Sequence, residues 1–343
     1  MKALAKTAPG VGNVELIEVP EPVPGPGQVV VEVKAAGICG TDLHIWMDEF
    51  KTKPPVVMGH EFSGRVHAIG EGVENFQPGD RVTSETYFET CGECIFCRRG
   101  RANLCPERRS IGSAVNGAFA KYVLVPAVNL HRLPKNVDYE AGALTEPLAC
   151  VVHAVLEETK IVPGDLVLVS GPGPIGLLTL AVVKASGART VVLGLKSDAR
   201  RLEAAKKMGA DHVIAVDEED ALAKIAELSG GYGADVALEC AGAGPSAATC
   251  LAGVRRAGQY TQIGLFGRPI QWEMDQVCYK ELKVTGTNAS VPSAWDKALE
   301  LMAQGLVDTK TIVSDVLPFA DWEKGFKLAR EKDSLKVLLT PSE

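Results

Sequence analysis

A short apolar strand that runs into a glycine-rich turn and then a helix is the feature that most restricts the fold of this 343-residue chain. Residues 166–170 (LVLVS) are apolar and β-branched, and Gly171-x-Gly173-x-x-Gly176 follows them directly. Gly171 permits a tight turn, Gly173 lets the backbone approach a pyrophosphate, and Gly176 lets the following apolar helix pack on the strand. The segment therefore predicts a dinucleotide-binding turn whose phosphates meet the helix N-terminus.

Strand and helix patterns alternate after this turn. Apolar, β-branched runs are separated by helical patterns at 198–210 and 218–230, and the runs lie at 190–195, 212–216, 235–240 and 260–266. This succession predicts a doubly wound parallel sheet, the Rossmann arrangement, with the ligand at the carboxyl ends of the strands.

The choice between NAD and NADP depends on the turn after the second strand. An acidic residue about 20 positions beyond the last glycine usually binds the ribose 2′-hydroxyl, but positions 194–196 read GLK and Asp198 comes slightly late. Lys196, Arg200 and Arg201 would suit a 2′-phosphate, although they equally fit the solvated face of a helix. Both coenzymes stay open, with a lean toward NADP. We expect coenzyme contacts from Gly171, Gly173, Pro174, Ile175, Gly176, Lys196, Arg201, Ile263 and Gly264.

The rest of the chain has a different pattern. Before residue 146, short alternating or β-branched runs are separated by glycine and proline turns, as expected of a mainly-β domain. The tail adds a helix, a strand, a second helix and a last strand. We expect residues 1–149 and 289–343 to form this domain, residues 150–288 to form the inserted nucleotide domain, and the active site to lie in the cleft between them. The predicted fold class is α/β plus mainly-β.

Four cysteines fall within residues 91–105: Cys91, Cys94, Cys97 and Cys105. The N-terminus lacks the apolar centre of a signal peptide and no stretch is long enough to span a membrane, so we expect a cytoplasmic chain with reduced thiols. Two overlapping CxxC pairs and a fourth cysteine favour tetrahedral zinc over a redox pair, with an iron–sulfur cluster as the alternative. Four sulfur ligands leave no open position, so this zinc would be structural.

A second group of metal-binding side chains lies upstream and downstream of that lobe. Cys39, His60 and one or both of Glu61 and Glu146 would make a three-ligand zinc site with room for water or substrate. Each residue alone also fits an ordinary role, as a buried thiol, a hydrogen-bonded histidine or an acid at a helix start. The joint pattern favours a catalytic zinc.

Taken together and in order, GICGTDxH, GHEFSG, CxxCxxCx7C, TEPLA and GPGPIG resemble the zinc-containing medium-chain dehydrogenases of the alcohol dehydrogenase superfamily. Glu61 and Glu146 resemble its polyol branch, which includes sorbitol dehydrogenase, and CGTDLHIW also resembles threonine dehydrogenases. The resemblance covers nearly the whole chain and implies a GroES-like catalytic domain, a Rossmann domain and two zinc ions.

The same resemblance implies roles for individual residues. Cys39, His60 and Glu61 correspond to the ligands of the catalytic zinc. Glu146 would be either a fourth, exchangeable ligand or a carboxylate that hydrogen-bonds the zinc-bound water. Thr41 and His44 resemble the proton relay of the family. From the residues themselves, Asp42 either orients a ligand histidine or caps a helix.

The expected activity is hydride transfer from a secondary alcohol, such as sorbitol or a related polyol, to NAD or NADP. L-threonine 3-dehydrogenase and butanediol dehydrogenase are the alternatives within the family, and a zinc-free reductase is a third. A non-catalytic, nucleotide-sensing zinc protein is the alternative from another class. A net charge of −7 without a basic run argues against nucleic acid or an anionic membrane as a partner. The family habit suggests a homo-oligomer, a tetramer or a dimer.

Overall fold

The computed structural model describes residues 1–332 and 334–341. Strands are numbered in chain order: β1 (Lys2–Lys6), β2 (Val14–Glu18), β3 (Gln28–Gly37), β4 (Val56–Val57), β5 (Glu61–Ile69), β6 (Arg81–Ser84), β7 (Tyr87–Glu89), β8 (Arg109–Ser110), β9 (Tyr122–Pro126), β10 (Leu130–Arg132), β11 (Leu166–Ser170), β12 (Arg189–Gly194), β13 (His212–Ala215), β14 (Ala234–Glu239), β15 (Val254–Gln262), β16 (Lys283–Gly286), β17 (Val313–Pro318) and β18 (Lys336–Thr340).

The α-helices are likewise numbered in chain order: α1 (Gly40–Trp46), α2 (Ile95–Arg98), α3 (Tyr139–Gly142), α4 (Thr145–Val152), α5 (Pro174–Ala185), α6 (Ala199–Lys207), α7 (Ala221–Leu228), α8 (Gly244–Gly253), α9 (Asp275–Tyr279), α10 (Pro292–Ala303) and α11 (Trp322–Arg330). Helix α4 continues as a π-helical stretch over His153–Glu157. Among the described residues, none of the helices is both long enough and apolar enough to cross a membrane.

The chain forms two compact units. The first comprises Met1–Pro147, Val291–Ala303 and Val313–Glu343, and the second comprises Leu148–Ser290 and Gln304–Ile312. Most of the tail therefore belongs with the N-terminal part of the chain, whereas nine residues of it, 304–312, belong with the second unit.

The first unit is mainly β. Its largest sheet has the order β10-β6-β5-β3-β18-β17, and β9 also pairs with β3. Alternating valines of β3 point into an apolar core that includes Phe62, Phe119 and Phe326. Successive side chains of a strand point to opposite faces, so every second valine enters this core. The core packs against the two interior strands β3 and β5, and the predicted metal ligands lie at the end of β3 and the start of β5.

The second unit contains a six-stranded parallel sheet with the order β13-β12-β11-β14-β15-β16. Its first strand in the chain, β11, is central and fully buried, and the order changes direction there, as in a doubly wound nucleotide fold. The predicted parallel sheet is confirmed.

Two details of this sheet differ from the sequence prediction. The strand predicted at 260–266 runs instead from Val254 to Gln262, because the backbone N–H groups of Ile263 and Gly264 both turn to the Glu239 carbonyl, at 2.9 and 2.8 Å. Helix α8 was not predicted. Its sequence, GPSAATCLAG, consists mostly of small residues and has too little contrast between its faces to show a helical period.

Candidate metal and coenzyme sites

The register of two central strands brings the first metal-binding group together. Strands β3 and β5 are antiparallel, and Gly37 at the end of β3 pairs with Glu61 at the start of β5. Cys39 follows β3 by two residues, and His60 immediately precedes β5. Because the end of one antiparallel strand lies beside the start of its partner, these residues meet at one end of the β3–β5 pair.

Cys39, His60 and Glu61 each offer a ligand atom, and these atoms all lie within 4.8 Å of one another. The group therefore combines one sulfur, one imidazole nitrogen and one carboxylate oxygen. This donor set suits zinc, and three protein ligands leave a fourth tetrahedral position for water or substrate.

Negative charge converges on His60, whose side chain is 13% exposed. Burial alone would lower the pKa of this imidazole, but Cys39, Asp42 and Glu146 raise its pKa well above the usual value. The same charges would stabilise a bound cation. The charges around the group and the types of its donor atoms thus both favour a bound metal cation.

Asp42 lies behind the ligands and is fully buried. Its Oδ2 accepts the backbone N–H of Cys39 at 2.9 Å, its Oδ1 accepts that of Gly59 at 3.3 Å, and His60 Nδ1 is 4.0 Å from Oδ1. Asp42 therefore caps helix α1 and also holds the backbone on both sides of the metal-binding group. Burial raises the pKa of this carboxyl, while His60 and the Cys39 N–H oppose the shift.

Lys336 is a partner of this group that the sequence analysis missed. It begins β18, which pairs with β3 so that Leu338 lies opposite Gly37. Its ammonium forms an ion pair with Glu61 and donates to the Ile38 carbonyl at 2.8 Å. The Lys336 and Glu61 side chains are 3% and 2% exposed. Burial would lower the pKa of Lys336, but Glu61 and Cys39 raise it, so the lysine stays charged.

The remaining residues assigned to this site lie on two helices. Glu146 is in the first turn of α4 and is buried. It lies outside the 4.8 Å group, although its charge raises the pKa of both His60 and Lys336. Thr41 is half-buried in α1. His44, also in α1, has a 52% exposed side chain, and its Nδ1 lies 2.7 Å from Glu49 Oε2.

The four cysteines of residues 91–105 form a separate, local cluster. Their sulfurs all lie within 4.8 Å of one another, and Cys91 Sγ is 3.9 Å from that of Cys97 and 3.6 Å from that of Cys105. Four zinc–sulfur bonds of about 2.3 Å in a tetrahedron separate the sulfurs by about 3.8 Å. The cluster therefore has the dimensions of a four-sulfur zinc site.

Backbone N–H groups point at these sulfurs. The N–H groups of Cys91, Cys94 and Cys97 lie 3.4–3.5 Å from the sulfurs of Cys105, Cys91 and Cys94. The Cys97 N–H is the main cause that lowers the pKa of Cys94 to about 7, whereas burial raises that of Cys97 to about 11. Donors directed at sulfur stabilise thiolates, which are the form that binds a metal. All nine cysteines of the chain are free thiols.

The second unit presents the glycine-rich turn as the motif requires. Gly173 is the N-cap of α5, and a Cβ there would extend into open space, whereas a Cβ on Gly176 would collide with the Gly171 carbonyl oxygen. The turn is thus open where a pyrophosphate would approach and tight where the helix meets it. Pro174 and Ile175 form the first turn of α5.

The other predicted coenzyme residues lie at the ends of neighbouring strands. Lys196 follows β12 and is exposed, whereas Arg201 is only 8% exposed on α6. Ile263 and Gly264 follow β15, which places their backbone at the carboxyl edge of the sheet. This is the edge at which doubly wound folds bind nucleotides.

Glu239, the last residue of β14, organises this edge and was also missed. It is fully buried, and its carboxylate accepts the N–H groups of Ala241 and Gly242, the Ser246 hydroxyl and the Gln262 amide at 2.5–3.1 Å. Buried carboxylate oxygens need hydrogen-bond partners, and these donors satisfy both oxygens of Glu239. It therefore fixes the loop that follows β14.

Two family models match the chain. That of the alcohol dehydrogenase GroES-like domain covers residues 25–135, and that of the zinc-binding dehydrogenases covers residues 174–304. Sorbitol dehydrogenase of Halalkalibacterium halodurans is 44% identical over 342 residues, 99% of each chain. L-threonine 3-dehydrogenase of Pyrococcus horikoshii is 39% identical over 345 residues, 98% of each chain.

A solved structure with the same fold also belongs to this class of proteins. A zinc-binding dehydrogenase from Sinorhizobium meliloti, bound to NADP, superimposes with a TM-score of 0.91 at 31% identity and 99% coverage of both chains. The expected pairing of a GroES-like domain with a Rossmann domain is confirmed, and the two donor groups fit a catalytic and a structural zinc. The chain belongs to the zinc-binding dehydrogenases of the alcohol dehydrogenase family, and it is an oxidoreductase that uses zinc and a nicotinamide dinucleotide.

Proposed function

We propose that this protein oxidises a secondary alcohol of the polyol class, such as sorbitol, with NAD or NADP, and that Cys39, His60 and Glu61 hold the zinc at which the alcohol binds. The observation that carries the proposal is the approach of a sulfur, an imidazole and a carboxylate to within 4.8 Å of one another, beside a further acid, Glu146. Three ligands leave one position open for a hydroxyl.

When bound, the zinc would lower the pKa of a coordinated hydroxyl toward neutrality, and the nicotinamide would accept the hydride. Asp42 keeps the ligands in place through the Cys39 and Gly59 N–H groups. Lys336 holds the Glu61 carboxylate and limits the net negative charge of the site.

We assign proton transfer to Thr41 and His44. Thr41 is half-buried two residues after Cys39, and His44 lies one helical turn further on, with its ring exposed and hydrogen-bonded to Glu49. A hydroxyl near the ligands followed by an exposed imidazole gives a route by which the substrate proton can leave toward solvent. Glu146, whose charge acts on His60 although it lies outside the group, would accept a hydrogen bond from a hydroxyl held at the metal.

The similarity to sorbitol dehydrogenase supports a polyol. L-threonine is the second candidate, because a threonine dehydrogenase is 39% identical over nearly the whole chain.

The test is a spectrophotometric screen of polyols, vicinal diols such as butanediol, and L-threonine, each with NAD and with NADP. We expect the highest kcat/KM with a polyol. A preference for L-threonine or for a simple diol would contradict the substrate assignment, and turnover of none of them would contradict the activity.

We further propose that the protein works in the cytoplasm as a homo-oligomer. Nine free thiols suit a reducing compartment, and the assembly is inferred from the family. Light scattering coupled to size-exclusion chromatography should give the mass of a dimer or tetramer, and a monomer mass would contradict this proposal.

A further inference from the structure

The turn after β12 holds no carboxylate that faces outward. Leu195, which is 41% exposed, has an apolar side chain and cannot accept a hydrogen bond from a ribose hydroxyl. Asp198 is only 5% exposed, and its Oδ2 accepts the backbone N–H of Leu195 at 3.0 Å. Asp198 thus closes its own turn. Lys196, which is exposed, stands about 20 residues beyond Gly176, the position at which doubly wound folds place the residue that contacts the ribose.

The ammonium of Lys196 is paired with an acid from the next strand connection. The Lys196 side chain is 73% exposed, and its Nζ lies 2.5 Å from Oε1 of Glu218, whose side chain is 47% exposed. The backbone N–H of Lys196 donates to Asp217 Oδ1 at 2.7 Å. Both acids follow β13, the neighbour of β12 in the sheet. A basic residue therefore stands where a 2′-phosphate would need one, and a carboxylate offsets its charge.

We propose that Glu218 sets the coenzyme selectivity of this protein, by neutralising Lys196 and thereby weakening the binding of the coenzyme that carries a 2′-phosphate. The coenzyme with a free 2′-hydroxyl is nearly indifferent to this pair. An exposed ion pair contributes little stability, so the Lys196 ammonium can exchange Glu218 for a phosphate. The Glu218 carboxylate stays close and repels the phosphate charge, which limits the gain.

The inference rests on the nicotinamide coenzyme of the family and not on the identity of the alcohol. It is tested by binding alone. NADPH and NADH are titrated separately into the zinc-loaded protein without alcohol, and nicotinamide fluorescence gives the Kd of each. Glu218→Gln should tighten NADPH by about tenfold, as expected for removing one negative charge near a phosphate, and should change NADH by less than about twofold.

Two further variants make the result specific. Lys196→Gln should weaken NADPH by about tenfold and leave NADH nearly unchanged, because only the phosphate needs the ammonium. Glu219→Gln, which removes the same charge from the adjacent exposed position, should change the Kd of NADPH by less than about threefold. The effect of Glu218→Gln should shrink at high ionic strength.

Several results would overturn the inference. They are an equal change of both coenzymes in Glu218→Gln, an unchanged NADPH affinity in Lys196→Gln, an equal effect of Glu218→Gln and Glu219→Gln, and no binding of either coenzyme. A failure of the alcohol assignment would appear differently, as normal coenzyme binding without turnover of any polyol.

Discussion

The two metal-binding groups of this protein are built in opposite ways. Cys91, Cys94, Cys97 and Cys105 come from one short loop, and backbone N–H groups point at their sulfurs. Cys39, His60 and Glu61 come from the end of one strand and the start of another, and they depend on a register between β3 and β5. Lys336, a lysine from the last strand, is buried against Glu61.

We infer from this difference that the four-cysteine group contributes to the stability of the protein and that the mixed group carries its reactivity. A loop of four like ligands can close around an ion and needs little from the rest of the fold. A mixed group with three ligands needs buried charges around it, because the unused metal position must be kept available while the protein charges are balanced. Substitutions in the two groups should therefore have different consequences, and the following predictions run from the largest effect to the smallest.

His60→Ala should lower kcat/KM by on the order of 10⁴-fold, about 5.5 kcal/mol, because the substrate hydroxyl would lose its Lewis acid. Steady-state kinetics with the best polyol would measure the loss. His67→Ala is the matched control, since His67 lies on the same strand, β5, but is exposed. The control should keep turnover within about twofold. Near-normal activity in His60→Ala would contradict the assignment of His60 as a ligand of the catalytic zinc.

Lys336→Met should lower the free energy of unfolding by about 3 kcal/mol, because it leaves the Glu61 carboxylate buried without its partner. Urea unfolding followed by circular dichroism would measure this. Lys34→Met is the comparison, since Lys34 forms a 2.6 Å pair with Glu32 on β3 but is 32% exposed. It should cost less than about 1 kcal/mol. Equal losses in the two variants would mean that burial of the Lys336 pair has no special weight.

Asp42→Asn should reduce kcat/KM by about 30-fold and weaken zinc retention, because the amide holds the Cys39 and Gly59 N–H groups less well and lacks the charge that supports His60. Competition with a zinc-binding dye would measure retention alongside kinetics. Asp48→Asn, in the loop after α1 and more exposed, should leave both properties nearly unchanged. A loss of stability with unaltered zinc affinity would mean that Asp42 only caps helix α1 and does not support the zinc site.

Cys97→Ser should change kcat/KM by less than about fivefold in the protein that remains folded, since the four-sulfur zinc takes no part in the reaction. The melting temperature should fall, because the loop loses metal-linked folding energy. Differential scanning calorimetry and kinetics would be compared with Cys278→Ser, which changes an exposed thiol. A loss of turnover as large as that in His60→Ala would contradict the division between the two groups.

The sequence predicts local features of this molecule well. The spacing of the four cysteines and the glycine-rich turn identify their ligands because each motif lies within a few residues of chain. Strand β11 was predicted with its observed bounds, Leu166–Ser170. In each case, the interactions that define the feature are between neighbours in sequence.

Features that depend on long-range register were not predictable in the same way. The identity of Cys39, His60 and Glu61 as a group came from a family resemblance. No sequence motif marks Lys336 or Glu239. Lys336 meets its partners only because β18 pairs with β3, and Glu239 meets its partners in the loop that follows β14. Arg201 was expected at the coenzyme but is nearly buried on α6. Helix α8 was not predicted because its two faces differ too little in polarity to show a helical period.

The most direct test of the central claim is the zinc content per chain of the wild type, Cys39→Ser and Cys97→Ser, measured by elemental mass spectrometry together with turnover. The account predicts two zinc ions in the wild type, one in each variant, and loss of turnover only in Cys39→Ser. A wild type that turns over with one zinc, or a Cys39→Ser variant that keeps two, would contradict it.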